Sequence, residues 1–342
     1  MKRILAVSLL LLLLVATMTA CNKTTAFEKS NSASSDTTVS SDASADATTA
    51  GLTIAYSSIA DADEAPWAGT LWDALESVCK ENDWTFTALS ADGVSATQDQ
   101  QIDTLLAEDP DYFVIFAGDC QMADEWVEKI HNAGIPVIMA GIDASASSAE
   151  YVSAFVGADQ EALAGQLAMD MITDNGADAA LNVVTISGFE AQEDYRLREQ
   201  GFEKTLSYFS NYTLLANDYA GASKENAKDI MSTYLDTYGD TIDVVVCYDA
   251  EFAEGALEAI EEAGLSDSIS IYTIVGSSDV LTAIQDGSIV ETALLSATDI
   301  AEQCADVITG LETGTIPNHY NYTERTYVTI DNVSEYLNNE DY

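Results

Sequence analysis

From residue 52 onward the chain alternates short, nearly unbroken apolar runs with longer amphipathic stretches, and this alternation leaves few folds open. The runs "LTIAYSS", "YFVIFAG", "IPVIMAG" and "YVSAFVG" read as buried strands, with helical periodicity over 67–80, 96–107 and 121–133 between them. The alternation restarts with "LNVVTIS", "YTLLAN", "IDVVVCY" and "ISIYTIV", separated by helical stretches near 190–208, 223–238 and 250–264. Strands without polar alternation need cover on both faces, which crossover helices supply when the sheet is parallel. Two such series predict an α/β protein of two doubly wound parallel-sheet lobes, and 51–342 is long enough to give each lobe its own core.

In open α/β sheets a ligand sits beyond the carboxyl ends of the strands. The candidate residues are therefore those that follow each apolar run: "IADADEAPW", "AGDCQ", "AGIDAS", "GFEAQEDYR", "YDAEF" and "GSSD". All six carry polar or aromatic groups and are expected to line a cleft between the lobes. The acidic "DADE" lacks the spacing of a calcium loop and reads as a solvated acidic loop or, through Glu64, as part of a ligand rim. Arg196 and Arg198 stand at the start of the helix after "LNVVTIS", in a chain with only four arginines.

The segment before the fold reads as export machinery. "MKR" is followed by "ILAVSLLLLLLVATM", an apolar core of signal-peptide length and too short for an ordinary spanning helix. It runs into Thr19-Ala20-Cys21, which resembles the lipobox of bacterial lipoproteins, with Met18 where that motif prefers Leu. Residues 1–20 are thus expected to be a signal peptide and Cys21 the lipidated residue, placing the protein on the outer face of a bacterial cell membrane. A plain secretory cut after Ala20 would call for a small residue where Met18 stands. Residues 22–50, rich in Ser, Thr, Ala and Asp, lack the apolar groups to order themselves and read, with Cys21, as an anchor and tether spanning roughly 30 Å.

The formal net charge of −46 argues against nucleic acid and anionic lipid headgroups as partners, since both select basic patches. Cys79, Cys120, Cys247 and Cys304 have irregular spacing and no CxxC, so they read as small buried hydrophobes with neither a disulfide nor a metal inferred. No phosphate-binding loop, dinucleotide fingerprint, zinc-protease helix or nucleophile elbow occurs. The two histidines, His131 and His319, have no nucleophile or metal-ligand pattern beside them. Neither a cofactor, a metal nor an enzymatic activity is expected.

Taken together, "GIPVIMAGID", "FVGADQEALAGQLAMDMI", "RLREQGF", "DVVVCYDAEFAEGALEAIEEAG" and "AIQDGSIVETALLSATDIAEQCADVITGLETG" resemble, in order and spacing, the type I periplasmic binding proteins. The likeness is to the ribose- and galactose-binding branch that feeds ABC sugar importers, and it covers most of 51–335. The resemblance implies two lobes joined by three crossovers: lobe I at 51–157 plus 296–325, and lobe II at 158–295 plus 326–342. It places the family's stacking aromatic on Trp67, its cleft arginine on Arg196 and its Asn or Asp on Asp249, leaving Arg198 to meet outer acidic residues. Three departures follow, one being that the family's last-crossover Asn or Gln falls near Leu295 or Ser296. The family's Asp-Arg pair after the fourth strand falls on Gly141 and Ile142, with Asp143 next door. Its acid after the "IYTIV"-type strand falls on Val275, with Asp279 as candidate replacement. The function implied is a monomeric solute-binding lipoprotein that captures a small, sugar-like ligand and delivers it to an ABC permease. A sensory receptor of the same fold and a non-sugar ligand are the alternatives.

Overall fold

The computed structural model describes residues 51–62, 65–190, 192–315, 317–337 and 341. The first series of elements is β1 (Thr53–Ser58), α1 (Pro66–Glu81), β2 (Thr85–Ser90), α2 (Ser95–Leu106), β3 (Tyr112–Phe116), α3 (Cys120–Asn132), β4 (Val137–Ala140) and β5 (Ala154–Gly157). The second is α4 (Gln160–Asn175), β6 (Leu181–Ser187), α5 (Glu193–Leu206), β7 (Tyr212–Tyr219), α6 (Lys224–Tyr238), β8 (Val244–Cys247), α7 (Ala250–Ala263), β9 (Ser270–Ile274), α8 (Ser278–Asp286) and β10 (Glu291–Leu294). The C-terminal part adds α9 (Ala297–Glu312), β11 (Tyr320–Tyr322) and β12 (Thr326–Thr329).

Strand geometry explains why the apolar runs are so unbroken. Successive side chains point to opposite faces, and both faces of the first sheet are covered. Ile54, Tyr56, Val114, Ile138 and Ala140 join a cluster with Leu71 and Leu75 of α1 and Ile300 and Cys304 of α9. Ala55, Phe113, Ile115, Val137 and Met139 join another with Ile102 of α2 and Trp126 and Ile130 of α3. β2 is an edge strand whose "TFTALS" is partly exposed along its length, so it carries no apolar run and its strand character is not apparent in the sequence.

The first sheet has the order β11-β5-β4-β3-β1-β2 and is parallel throughout. The second has the order β12-β10-β9-β8-β6-β7, parallel except for β12, which runs antiparallel to β10. This is the doubly wound α/β architecture of two lobes. The chain passes between the sheets at 158–159, 295–296 and 323–325. At the second passage Ser296 caps α9 through Asp299 N–H, and its hydroxyl donates to Asp341, which also accepts from the Thr298 amide (2.6 and 2.7 Å). β10, β11 and β12 are three or four residues long, below the length at which alternation is legible in sequence.

Cys79, Cys120, Cys247 and Cys304 are buried. Burial pushes the Cys79 thiol up to about 12, which keeps it protonated and inert. Among the described residues no helix is long and apolar enough to cross a membrane.

Candidate functional site

Each sheet reverses its winding at one point: between β1 and β3 in the first, and between β6 and β8 in the second. Loops at such a switch point diverge and open a crevice. Trp67 lies in the first turn of α1, after β1. Arg196 lies in α5, after β6, and Asp249 precedes α7, after β8. The topology thus brings three of the expected residues to switch points.

Trp67 does more than present a face. Its indole N–H donates to the Leu295 carbonyl at 2.8 Å, in the passage between the sheets. Its ring meets Phe116 edge-on at 5.5 Å and packs against the apolar clusters of both lobes. Gly141 completes this contact: at φ +78° it occupies the left-handed region, and a Cβ there would stand 3.3 Å from Phe116 and 3.4 Å from Trp67. Gly141 is the position on which the resemblance puts the family's Asp-Arg pair, and here the space beside it is taken by the rings of Phe116 and Trp67.

Asp249 accepts from the Tyr195 hydroxyl at 3.2 Å. Burial raises its carboxyl to about 6, against the opposing pull of Arg198. Asp143 follows β4, accepts from the Ala144 amide at 2.8 Å and lies 4.0 Å from His319 Nε2. Burial raises it to about 7, helped by Glu193 and Asp124 and opposed by the Ala144 hydrogen bond.

The expectation for the two arginines is reversed. Arg196 is exposed, and its fork is taken by Glu193 and by Gln200. Arg198 is 3% exposed rather than turned to outer acids. It donates to Gln160 Oε1 (2.8 Å) and the Tyr248 carbonyl (2.6 Å), stands 3.8 Å from Asp194 Oδ2, and lies over the Tyr195 ring at 5.3 Å. The reason is helical phase. Asp194, Arg198 and Phe202 are spaced by four and share the face turned to the core, while Arg196, two positions before Arg198, projects to another face. Asp279 is exposed in the first turn of α8, away from the cavity described next. Glu64 and Cys21 lie outside the described residues. Val275, where the family's acid falls, adopts φ +68°, a left-handed conformation that is rare for a β-branched side chain, at the carboxyl end of β9.

A cavity of about 190 Å³ opens between the two series of elements. One wall is Asp143, Phe155, Tyr320 and Tyr322, from the first sheet and its loops; the other includes Gln160, Glu193 and Asp194, from α4 and α5. Its size is below the roughly 300–1,000 Å³ of drug-sized sites and limits the occupant to a small molecule. Tyr320 and Tyr322 stack at 5.6 Å, and both rings meet Phe155 edge-on at 6.2 and 6.3 Å. Of the sequence-derived candidates among the described residues, only Asp143 lines this cavity. Glu193 and Asp194 were visible as the acids beside the arginines. Nothing in the local sequence pointed to Tyr320, Tyr322 or Gln160. A larger depression of about 760 Å³ along α1 and β2, lined by Asp73, Glu76, Lys80 and Trp84 among others, contains no strand-end loop.

Comparison with known proteins gives the same architecture. The chain is 25% identical over 226 residues to the xylitol-binding protein of Mycolicibacterium smegmatis, covering 66% of this chain and 63% of that protein, so it spans less than two thirds of this relative. It is 22% identical over 304 residues to the galactofuranose-binding protein of Escherichia coli, covering 87% and 94%. Among solved structures, a Bacillus halodurans ABC transporter solute-binding protein with bound myo-inositol superposes with a TM-score of 0.75 at 22% identity, covering 84% of this chain and 98% of the other. The periplasmic binding protein domain matches residues 55–315, well over half of the chain. Two doubly wound lobes, strand-end loops gathered at their switch points and this match lead to one conclusion: the chain belongs to the periplasmic binding protein family, in its two-lobed type I form.

Proposed function

We propose that the protein is an extracytoplasmic solute receptor that captures a small, sugar-like ligand between its lobes and delivers it to an ABC permease. The observation that carries this reading is the cavity walled from both sheets, with polar and aromatic groups contributed by strand-end loops and by the first turns of α4 and α5. The relatives are named for binding xylitol, fructose, D-apiose and galactofuranose, which supports a polyhydroxylated ligand. Lobe I is taken as 51–157 plus 296–325 and lobe II as 158–295 plus 326–342, a division supported by strand membership in the two sheets. Three thin passages between lobes suit a hinge that closes on ligand. Cys21 is the proposed lipid anchor and 22–50 the tether, on the sequence pattern alone.

The test is a thermal-shift screen of xylitol, fructose, ribose, galactose and myo-inositol, followed by small-angle scattering with any ligand found. A ligand that binds only the native state raises the melting temperature by mass action. Stabilisation by at least one of these, with a smaller radius of gyration when bound, is expected. A saturating ligand that leaves the scattering profile unchanged removes the hinge mechanism.

A further inference from the structure

The second passage between the sheets, at 295–296, is gripped from both sides. On one side stands Trp67 of α1, a helix whose Leu71 and Leu75 lie in the core of the first lobe. Its indole N–H donates at 2.8 Å to the carbonyl of Leu295, which is buried in the core of the second lobe. On the other side the direction is reversed. Ala297, Ile300 and Ala301 root α9 in the first lobe's core, yet the side chain that holds its first turn comes from the second lobe. Asp341 follows a segment whose Val333 is buried in the second lobe's core, with Tyr336 and Leu337 packed against it. Its carboxylate accepts from the Ser296 hydroxyl at 2.6 Å and from the Thr298 amide at 2.7 Å, and its backbone carbonyl accepts from the Ala297 amide at 3.5 Å.

The two grips fall on adjacent residues, Leu295 and Ser296, where a hinge would have to change its backbone angles. Hinge motion is absorbed by a few residues at the ends of elements, and this pair joins the end of β10 to the start of α9. Rotation there swings the Leu295 carbonyl away from Trp67 or the first turn of α9 away from Asp341. The two bonds to the Asp341 carboxylate have the short length of charge-assisted ones. The unpaired amides at a helix start favour a negative group, which adds to the hold on α9. At the first passage the cap of α4 is instead its own Asp159, which accepts from the Ala162 amide.

We propose that Trp67 and Asp341 form a clasp on the second passage that restrains the relative orientation of the two lobes in the ligand-free protein. The inference rests on the hinged solute-binding reading and assigns the residues that hold the hinge. Each arm crosses from one lobe to the other, and the arms run in opposite directions, so opening at this passage breaks at least one of them. Trp67 is half-buried at the switch point of the first sheet, so one side chain belongs both to a strand-end loop and to the clasp.

Small-angle scattering and hydrogen exchange read by nuclear magnetic resonance test it, on the ligand-free full chain as wild type, Asp341→Ala and Trp67→Phe. The second variant keeps an aromatic ring and removes only the indole donor. Each variant is expected to have a larger radius of gyration than wild type. Each is also expected to loosen the arm it does not touch. The Trp67 indole N–H, one of four in the chain and assigned by its loss in Trp67→Phe, should exchange about tenfold faster in Asp341→Ala, the low end for a hydrogen bond to a charged group. The Thr298 amide should exchange about threefold faster in Trp67→Phe, as befits loss of a neutral bond. A residue that merely capped α9 or merely packed beside Phe116 would leave the opposite arm unmoved. Either variant suffices if the other does not fold. In a folded variant, a radius no larger than that of wild type, or an opposite arm exchanging at the wild-type rate, overturns the clasp. These measurements use no ligand, so that result leaves the solute-binding reading to the ligand screen, and a screen without a binder leaves the clasp to these measurements.

Discussion

Replacing Arg198 by Met separates a buried structural cation from a surface one. The variant keeps most of the side-chain volume and removes the charge. It leaves the Tyr248 carbonyl and Gln160 Oε1 without their donor and Asp194 without its nearest cation. Removing one member of a buried pair costs about 3–5 kcal/mol, because the partner stays buried and uncompensated. At roughly 2–4 °C per kcal/mol for domains approaching this size, the melting temperature should fall by about 6–20 °C. The loss has a definite pH dependence. Burial already raises Asp194 and Asp249, and Arg198 opposes that rise in both. Without Arg198 both carboxyls bind protons more tightly in the folded state, so the penalty is greatest where the wild type has them ionised. It fades as the pH falls and both are protonated in either protein. Thermal melts at pH 8 and pH 5 should show a larger deficit at pH 8. Arg196→Ala, which removes an exposed pair with Glu193 and an exposed hydrogen bond to Gln200, should cost less than about 1 kcal/mol at both. A deficit for Arg198→Met under 1 kcal/mol at pH 8, or one that grows in acid, would refute the assignment.

Glu291 is 2% exposed, and burial together with Asp170 and Asp174 raises its carboxyl to about 8. A folded-state value above the unfolded one means stability lost as the pH rises from the ordinary carboxylate range through about 8, so Glu291→Gln should match wild type near pH 5 and exceed it by a few kcal/mol at pH 9, measured by urea unfolding. Gly201 lets α5 cross α4 closely, since a Cβ there would run into the Glu161 carbonyl. Gly201→Ala should therefore destabilise by about 1–3 kcal/mol in thermal melts, whereas helix propensity alone would make it stabilising. Cys21→Ser should release the protein from the membrane fraction or leave an unprocessed precursor; normal processing with unchanged retention would count against the lipid anchor.

The sequence by itself determined the fold class. Parallel strands covered on both faces are mostly apolar, and β4 and β8 are fully buried strands whose "VIMA" and "VVVC" could be read directly. It also pointed to the strand ends, where open α/β sheets bind their ligands. Which side chains face the cavity was decided by the tertiary structure. Arg196 and Arg198 are two residues apart and chemically identical, and only the packing of α5 on α4 sends one to solvent and the other onto Gln160 and Tyr248. Tyr320 and Tyr322 reach the site through a three-residue strand that pairs with β5, some 160 residues earlier in the chain. A contact of that range leaves no local periodicity to read. Gly141 and Trp67 show the same dependence: the left-handed glycine acquires its meaning only when the fold brings the rings of Phe116 and Trp67 beside it.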